Sequence, residues 1–401
     1  MSIISNISEK YDCVIIGAGP GGSRLAELCA QKGLDVLVLE KRQEIGVPKR
    51  CAEGIGEMHL KEVGFNGKER FIANTILNGS ILYAPDGQPI ALPPKKEIGY
   101  ILERKLFDKE LASRAALAGA KIIVNAEVLN LIKNDDDFVC GVELDYCGEK
   151  HSIKSDLVVS AEGVEAKIAR SILNIAVPRP DEVMSGYQYE LENISMEDSS
   201  RLEFYLGPKM VPGGYIWIFP KGKRRANVGI GIISNCQKSA KYYLDAWINT
   251  KSNLKNGSVL EENAGAIPVG GFLKKMTANG FLAVGDAARQ VHPIHGGGLY
   301  ESTHAAKIAA EVIHEAKIAG DYSDKMLDKY NKMWWLKRGN ELLRVNKIKT
   351  VAQKMSDEEM NLFFSCFRNT DISALVGGNL SEISKLLLKI PRLIKFSKYL
   401  I

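Results

Sequence analysis

YDCVIIGAGPGGSRLAELCAQKGLDVLVLE, residues 11–40, has the order of parts of a nucleotide-binding βαβ unit. An apolar, β-rich run over 13–16 enters a glycine loop, a helical pattern follows, and a second strand over 36–39 ends on Glu40. The loop contains four glycines: Gly17, Gly19, Gly21 and Gly22. Glycines let the backbone approach a pyrophosphate, and the N-terminus of the next helix offers free N–H groups and a partial positive charge. Glu40 lies where an acid accepts hydrogen bonds from the adenosine ribose, so the segment predicts dinucleotide binding.

A second stretch, FLAVGDAARQVHPIHGGGLY (281–300), identifies the dinucleotide. Its strand, its Gly-Asp pair and its three glycines before a helix resemble the second fingerprint of FAD enzymes of the para-hydroxybenzoate hydroxylase and glutathione reductase type. The resemblance implies that Asp286 holds the ribityl hydroxyls of FAD. It also implies that Gly298 and Leu299 lie by the pyrimidine edge of the isoalloxazine, where N–H groups stabilise negative charge on the reduced flavin.

Two further segments agree with this class of flavoprotein. Arg104 stands just before an amphipathic helical pattern, and the resemblance implies that it reaches the FAD phosphates; a surface ion pair at the helix end is the alternative. The same resemblance places Val128 among the cofactor-binding residues. The third motif of the class usually ends in Asp-Gly, but this chain has Glu162-Gly163.

The middle of the chain, from about 181 to 270, alternates apolar and polar residues as antiparallel strands do. The predicted fold is therefore mixed α/β (α+β): a Rossmann-like FAD-binding domain with an inserted antiparallel sheet and a helical C-terminus. We expect a discontinuous FAD-binding domain (1–180 and 271–330), a substrate domain (181–270) and a helical region (331–401).

GGYIWIFPKGKRRANVGIG (213–231) is the informative part of this sheet. At period two, Tyr215, Trp217 and Phe219 share one face of a strand, and an aromatic face towards a cavity makes a substrate wall. Packing of these rings into a sheet and helix core is the alternative. The basic residues after the strand could meet a lipid phosphate, although a solvated hairpin turn is the simpler interpretation; they are Lys221, Lys223, Arg224 and Arg225.

GVPKRCAEG (46–54) places Cys51 beside Lys49 and Arg50, which would favour its thiolate if they face it. A buried structural cysteine is the alternative. Pro48-x-x-Cys51-x-x-Gly54, Tyr215-x-Trp217-x-Phe219-Pro220 and Gly285-Asp286 with its GGG loop together resemble the archaeal geranylgeranyl reductases.

That resemblance implies an FAD-dependent reductase that saturates the isoprenoid double bonds of digeranylgeranylglycerophospholipids in archaeal membrane lipids. It implies that Cys51, Ala52 and Gly54 touch the flavin. Cys51 would also border the alkene, as a proton donor or as a group that shapes and tunes the site. Where relatives often have threonine before GGG this chain has His295, and Tyr300-Glu301 replaces smaller residues.

No second G-x-G-x-x-G follows a strand, so we expect a transient electron donor: a ferredoxin, a reduced deazaflavin or a nicotinamide. Two other functions share the fold, an FAD-dependent aromatic monooxygenase and an electron-transfer flavoprotein. The monooxygenases typically have histidine after GDAA, where this chain has Arg289, and iron–sulfur cysteine spacing is absent.

The sequence predicts a cytoplasmic protein, which would be peripheral on the inner face of the cell membrane if its tail binds lipid. The net charge of +5 is too small to indicate nucleic-acid binding, and seven cysteines without a C-x-x-C pair fit a reducing compartment. The tail 380–401 carries Lys385, Lys389, Arg392, Lys395 and Lys398 among apolar residues, against one acid, Glu382. Such a segment either lies on an anionic membrane surface or docks on the protein with a solvated basic face.

Overall fold

The structure is a computed structural model that describes residues 8–92, 98–365, 380, 381, 385, 388 and 390–399. It is built from three sheets with helices packed around them. This mixed α/β architecture, with its inserted sheet and helical C-terminal region, confirms the predicted fold class.

The first sheet has eight strands and contains the nucleotide-binding unit. Its main path runs β17 (Thr277–Ala278), β18 (Phe281–Ala283), β11 (Glu149–Ser160), β1 (Lys10–Ile16), β2 (Val36–Leu39) and β8 (Lys121–Ile123). From β18 to β8 the neighbours are parallel, and β9 (Ala126–Lys133) and β10 (Val139–Tyr146) extend it through β11. The inner strands are covered on both faces, which is why they are continuously apolar.

The second sheet has seven strands and is mostly antiparallel. Its order is β16 (Ser258–Pro268), β12 (Val183–Glu192), β15 (Arg225–Ile233), β14 (Tyr215–Pro220), β13 (Leu202–Tyr205), β5 (Ser80–Tyr83) and β6 (Pro89–Leu92). The hairpin β5–β6 joins β13 in parallel, although it comes from a part of the chain that the sequence predicts to belong to the FAD-binding domain. The division at residue 181 stays a prediction, and this sheet crosses it.

A small third sheet joins the cysteine-containing segment to the start of a helix. It pairs β3 (Gly54–Gly56) with β7 (Gly99–Leu102), and β7 with β4 (Ile72–Ile76). Because β7 runs directly into the helix that begins at Arg104, this sheet sets the position of Arg104 relative to the Cys51 segment.

Nine α-helices lie within the described residues: α1 (Pro20–Gln31), α2 (Glu57–Glu62), α3 (Arg104–Leu117), α4 (Lys167–Leu173), α5 (Ala240–Asn249), α6 (Leu299–Ala319), α7 (Asp324–Trp334), α8 (Asn340–Ala352) and α9 (Asp357–Ser365). A π-helical segment, Trp335–Gly339, joins α7 to α8, and a 3₁₀ helix spans Pro391–Tyr399. In the described part of the chain, none of the helices has the length and apolar composition needed to span a bilayer.

The C-terminal helices complete two cores. Trp334 and Leu342 pack into the core of the nucleotide-binding sheet, whereas α8, α9 and the 3₁₀ helix cover the β5–β6 hairpin. Leu393 and Phe396 of the 3₁₀ helix are 0% and 3% exposed, so the described part of the tail is docked through its apolar side. Glu382, Lys389 and the side chain of Lys398 lie outside what the structure describes.

Candidate active site

Three glycines of the first loop differ in what surrounds them. Gly17 has φ +104°, and a Cβ there would lie 2.5 Å from the Ala161 carbonyl oxygen. A Cβ on Gly22 would lie 2.0 Å from the Gly17 carbonyl oxygen, so α1 packs against the turn only with glycine at this position. A Cβ on Gly19 would meet no protein atom within 4 Å. The space beside Gly19 therefore suits the close approach of a ligand to the backbone.

Glu40, which follows the end of β2, is hydrogen-bonded to this loop. Its Oε2 accepts the Ala18 N–H at 2.9 Å and its Oε1 accepts the Arg42 N–H at 2.9 Å. The carboxylate is half-buried and keeps acceptor capacity for ribose hydroxyls. Val128 lies near the same end, in β9, whose first residue, Ala126, donates its N–H to the Glu40 carbonyl oxygen at 2.9 Å. The structure shows Val128 packed against the core of this sheet, and its predicted contact with FAD stays a prediction.

The second fingerprint folds next to the first. A Cβ on Gly21 would lie 3.2 Å from Ser302 Cβ, so the first turn of α1 contacts the first turn of α6. Asp286 lies in a 3₁₀ turn, Gly285–Ala288, and its Oδ1 would be 2.9 Å from a Cβ on Gly298. Burial raises the pKa of Asp286 to about 6, and the positive charge of Arg104 acts in the opposite direction. This carboxyl accepts no hydrogen bond from the described residues, which suits a site for polyol hydroxyls.

Arg104 connects Asp286 with the cysteine segment. Its guanidinium forms a forked ion pair with Asp108, at 2.8 and 2.9 Å, and its side chain is only 15% exposed. Burial alone would lower its pKa, but the charges of Asp108 and Cys51 and hydrogen bonds to both raise it. Arg104 therefore forms an ion pair at the helix end, as the alternative interpretation predicts. The pair is not on the surface, however, because it is largely buried and faces the site.

The Cys51 segment lies across the inner face of the seven-stranded sheet. Cys51 Sγ accepts the Glu53 N–H at 3.2 Å. The carbonyl oxygens of Cys51 and Ala52 accept from the Gln188 and Asn227 side-chain amides, both at 3.1 Å. These bonds place the half-buried thiol between Arg104 and the sheet.

The condition under which Lys49 and Arg50 would favour the thiolate is not met, because both side chains pair with carboxylates. Lys49 is 3% exposed and donates to Glu53 at 3.1 Å and to Glu190 at 2.9 Å, while the exposed Arg50 lies 3.6 Å from Glu165. The cation that reaches Cys51 is Arg104, which is 53 positions further along the chain.

The solvated-turn interpretation is also wrong for Lys221. Its side chain is 0% exposed and donates to Glu53, Glu103 and Glu190 at 3.0, 2.7 and 3.0 Å. Lys223 and Arg224 are exposed, as a hairpin turn requires, and Arg225 is half-buried and paired with Glu192. The interior position of Lys221 leaves it unable to meet a lipid phosphate.

The aromatic face predicted for β14 exists, and its three rings differ in burial. Ile216 and Ile218 point the other way, into the core beneath α5. Trp217 is 6% exposed, donates to Gln188 Oε1 at 2.9 Å, and lies where a Cβ on Gly229 would be 2.3 Å from its ring. Tyr215 and Phe219 are half-buried. The packing interpretation therefore holds for Trp217, and the substrate wall stays a prediction for the half-buried Tyr215 and Phe219.

Tyr215 joins this face to the glycine-rich loop before α6. Its hydroxyl donates to the His295 carbonyl oxygen at 2.6 Å. Burial and the charge of Cys51 raise its pKa, so the phenol stays neutral at physiological pH. Phe219 lies under the cysteine segment, where a Cβ on Gly54 would be 2.8 Å from its ring.

Two histidines beside this loop were not assigned a role from the sequence. The rings of His292 and His295 stack with centroids 3.6 Å apart, and His295 Nδ1 accepts the Gly297 N–H at 3.1 Å. Burial, with the positive charge of Arg338, lowers the pKa of His295 to about 4. His295 is therefore neutral near pH 7, with its remaining proton on Nε2.

Tyr300 and Glu301, which stand where relatives have smaller residues, contact the π-helical segment. Arg338 forms a bidentate ion pair with Glu301, which is 2% exposed, and its guanidinium lies 5.5 Å from the Tyr300 ring centroid. The His59 ring stacks on the Tyr300 ring, with centroids 3.9 Å apart. The larger side chains thus attach the first turn of α6 to the C-terminal helices, a non-local contact that no local motif indicates.

Glu162 stands where the third motif usually has aspartate, and its side chain caps α4. Its Oε1 accepts the Ile168 N–H and its Oε2 the Ala169 N–H, both at 3.1 Å, and Ser160 Oγ donates to Oε2 at 2.7 Å. The glutamate therefore has a structural role in this chain.

Comparison with known proteins agrees with this geometry. A model of the FAD binding domain matches residues 10–192, and a model of the geranylgeranyl reductase catalytic domain matches residues 182–267. Digeranylgeranylglycerophospholipid reductase 1 of Methanococcoides burtonii is 38% identical over 92% of this chain and 90% of its own length. The digeranylgeranylglycerophospholipid reductase of Methanocaldococcus jannaschii is 37% identical over 98% of this chain and 99% of its own length.

Solved structures give the same result for the fold. A geranylgeranyl bacteriochlorophyll reductase-like protein from Thermoplasma acidophilum superposes with a TM-score of 0.89 at 33% identity, covering 96% of this chain and 99% of that one. A flavin-dependent brominase, with a TM-score of 0.72 at 18% identity, shares the fold alone.

Proposed function

Because the chain belongs to the digeranylgeranylglycerophospholipid reductase family, we propose that it is an FAD-dependent reductase that saturates isoprenoid double bonds of digeranylgeranylglycerophospholipids. The observation that carries this proposal is the similarity to these reductases over nearly the full length of both chains. The site agrees with it, because its thiol, its buried arginine and its aromatic face converge beside the FAD-binding elements.

FAD is the cofactor of this family, and the residues present fit it. The open space at Gly19 and the N-terminus of α1 would take the pyrophosphate, Glu40 the ribose, and Asp286 the ribityl hydroxyls. The N–H groups of Gly298 and Leu299 would lie by the pyrimidine edge, and Arg104 would add positive charge. When bound and reduced, FAD supplies the hydride for an alkene carbon.

The protein's own residues would hold the alkene and supply its second hydrogen as a proton. An isolated trisubstituted alkene has no carbonyl to take up charge, so close positioning and an acid are both needed. We assign the positioning to Tyr215 and Phe219, with Trp217 supporting them from the packed layer. Cys51 is the candidate proton donor, since the Glu53 N–H and Arg104 would stabilise the thiolate that is left after the proton transfer.

The reaction is tested with reduced enzyme and unsaturated lipid. Enzyme reconstituted with FAD, reduced with dithionite under anaerobic conditions, and mixed with digeranylgeranylglycerophospholipid should add two hydrogens per event, seen by mass spectrometry. A strict requirement for oxygen would instead assign the chain to the monooxygenases, and electron transfer to a quinone without alkene saturation would assign it to electron-transfer flavoproteins.

We propose further that the electrons come from a transient donor, a ferredoxin, a reduced deazaflavin or a nicotinamide. What supports this is the sequence, in which no second G-x-G-x-x-G follows a strand. Anaerobic stopped-flow mixing of the oxidised enzyme with each donor separates the three, because only the physiological donor should bleach the flavin at a saturating rate.

Peripheral membrane contact through the tail is also a proposal. Leu388 and Ile394 are 57% and 44% exposed, and Lys385 and Arg392 are exposed beside them, so the solvent side of this segment is both apolar and basic. The enzyme should float with vesicles that contain anionic phospholipid and less with neutral vesicles. A Leu388→Asp, Arg392→Glu variant should lose this binding, and equal flotation with neutral vesicles would contradict the proposal.

A further inference from the structure

Glu53, two residues after Cys51, is 0% exposed and is hydrogen-bonded to α3, to β15 and to two buried lysines. Its Oε1 accepts the backbone N–H of Arg104 at 2.8 Å. Its Oε2 accepts from Asn227 at 2.7 Å, Lys221 at 3.0 Å and Lys49 at 3.1 Å. Its own N–H donates to Cys51 Sγ.

We call this group the Glu53 cluster; it consists of Lys49, Glu53, Glu103, Glu190, Lys221 and Asn227. Glu190, on β12, accepts from Lys49 at 2.9 Å and from Lys221 at 3.0 Å. Burial alone would lower the pKa of both lysines, but the carboxylates around them raise it, so both stay charged. The cluster therefore fixes the cysteine segment to the sheet through two buried cations.

Buried ion pairs of this kind are a weak source of stability, because desolvation offsets much of the attraction between the charges. Removing one partner is nevertheless costly, since it leaves an uncompensated buried charge. The main effect of such a cluster is therefore to restrict the cysteine segment to one geometry, and its contribution to the free energy of folding is small.

The backbone of Glu53 has the unusual conformation that the cluster stabilises. Its φ is +77°, in the left-handed region that residues other than glycine rarely adopt. This turn aims the Glu53 N–H at the sulfur, while the Glu53 carbonyl oxygen accepts the Leu102 N–H at 2.9 Å. Because such a conformation persists only where surrounding contacts determine it, the anchored side chain accounts for the turn.

We propose that Glu53 is the positioning residue of the thiol. Through the Glu53 cluster it holds the left-handed turn that directs its N–H to Cys51 Sγ, and through Oε1 it fixes the first residue of α3, whose side chain reaches the same sulfur. Its importance for turnover rests on the proposed function, in which Cys51 borders the alkene, whereas its effect on the thiol does not.

The test compares two matched variants of the FAD-loaded full chain. Glu53→Gln removes the charge that holds the turn. Glu27→Gln makes the same change at a carboxylate that is 2% exposed and paired with Arg24 and Arg114, with no contact to Cys51. The readout is the rate at which iodoacetamide alkylates Cys51, followed by peptide mass spectrometry.

Alkylation of Cys51 should slow at least about fivefold in Glu53→Gln, because the N–H and the guanidinium that favour the nucleophilic thiolate are displaced. Glu27→Gln should stay within about twofold of wild type even at an equal loss of Tm. An unchanged or faster rate in Glu53→Gln, or the same slowing in both variants, overturns the proposal.

Two further measurements keep the outcome clear. If Glu53→Gln does not fold, Asn227→Leu removes one donor to Oε2 and one to the Ala52 carbonyl without changing charge; it should also slow alkylation, and an unchanged rate overturns the proposal. With the lipid substrate, Glu53→Gln should lower kcat while KM and the FAD Kd stay within about threefold. If Cys51→Ser retains full turnover, the catalytic role of Cys51 fails, and the alkylation rates still decide the role of Glu53.

Discussion

Gly19 and Gly22 lie three residues apart, and alanine at each should have opposite consequences. Gly19 has φ −69° and ψ 179°, which alanine adopts freely, and its Cβ would meet no protein atom within 4 Å. As an N-cap it loses up to about 1 kcal/mol on replacement by alanine. The lower entropy of the unfolded chain restores about 0.4–1 kcal/mol. The Gly19→Ala apoprotein should therefore keep its Tm within a few degrees.

The same methyl group would occupy the space through which a phosphate approaches the loop. Losing one hydrogen bond to a charged group costs about 1.5–3 kcal/mol. The FAD Kd of Gly19→Ala should therefore rise between about tenfold and a hundredfold. Gly22→Ala should instead lower the apoprotein Tm, because its Cβ would lie 2.0 Å from a backbone oxygen that cannot move away alone.

The assays are differential scanning fluorimetry of the apoproteins and FAD titration by quenching of flavin fluorescence. If Gly19→Ala binds FAD within twofold of wild type, or loses as much Tm as Gly22→Ala, the space beside Gly19 is not the phosphate site.

Three further predictions concern the carboxyls and the thiol. The pKa of Asp286 in the free protein is about 6, and ribityl donors favour the ionised form, so the FAD Kd should rise as pH falls below 6. FAD titrations between pH 5 and 8 should show this rise in wild type and a flat profile in Asp286→Asn. Glu162→Ala removes the acceptor of two N–H groups of α4 and should lower the free energy of unfolding in urea by about 1 kcal/mol, whereas an unchanged midpoint would mean that the cap contributes nothing. Cys51→Ser should lower kcat at least about tenfold with the FAD Kd within threefold, and unchanged turnover would mean that the thiol is structural.

Local patterns in the sequence predict much of this molecule. The βαβ unit of residues 11–40 has the predicted order, since glycines, strands and helix follow one another within the range of local interactions. The two faces of β14 also follow from the alternation of Tyr215 and Trp217 with Ile216 and Ile218.

What the sequence could not provide is the direction of charged side chains whose partners are distant in the chain. Lys49 would favour the Cys51 thiolate only if it faced it, but it pairs instead with the nearby Glu53 and with Glu190, which is 141 positions away. The sequence does contain a weak indication of this ion pair at Glu190, because a charged residue on the inward face of an alternating strand needs a buried counter-ion. Which cation that is depends on how β12 meets the cysteine segment, and no local pattern contains that information.

The extent of the second sheet was missed for the same reason. The β5–β6 hairpin reads as an ordinary pair of short strands, and its parallel pairing with β13 joins residues 80–83 to 202–205. Long-range strand pairing is decided by packing, and here α8 and α9 cover the hairpin.

Lipid mass spectrometry after a single anaerobic incubation shows directly whether the reduced enzyme saturates the isoprenoid double bonds. Enzyme carrying dithionite-reduced FAD is mixed with digeranylgeranylglycerophospholipid in the absence of oxygen. Product masses should increase in steps of two hydrogens, with one flavin oxidised per step. Unchanged lipid masses with fully reduced, bound FAD would contradict the proposed reductase activity.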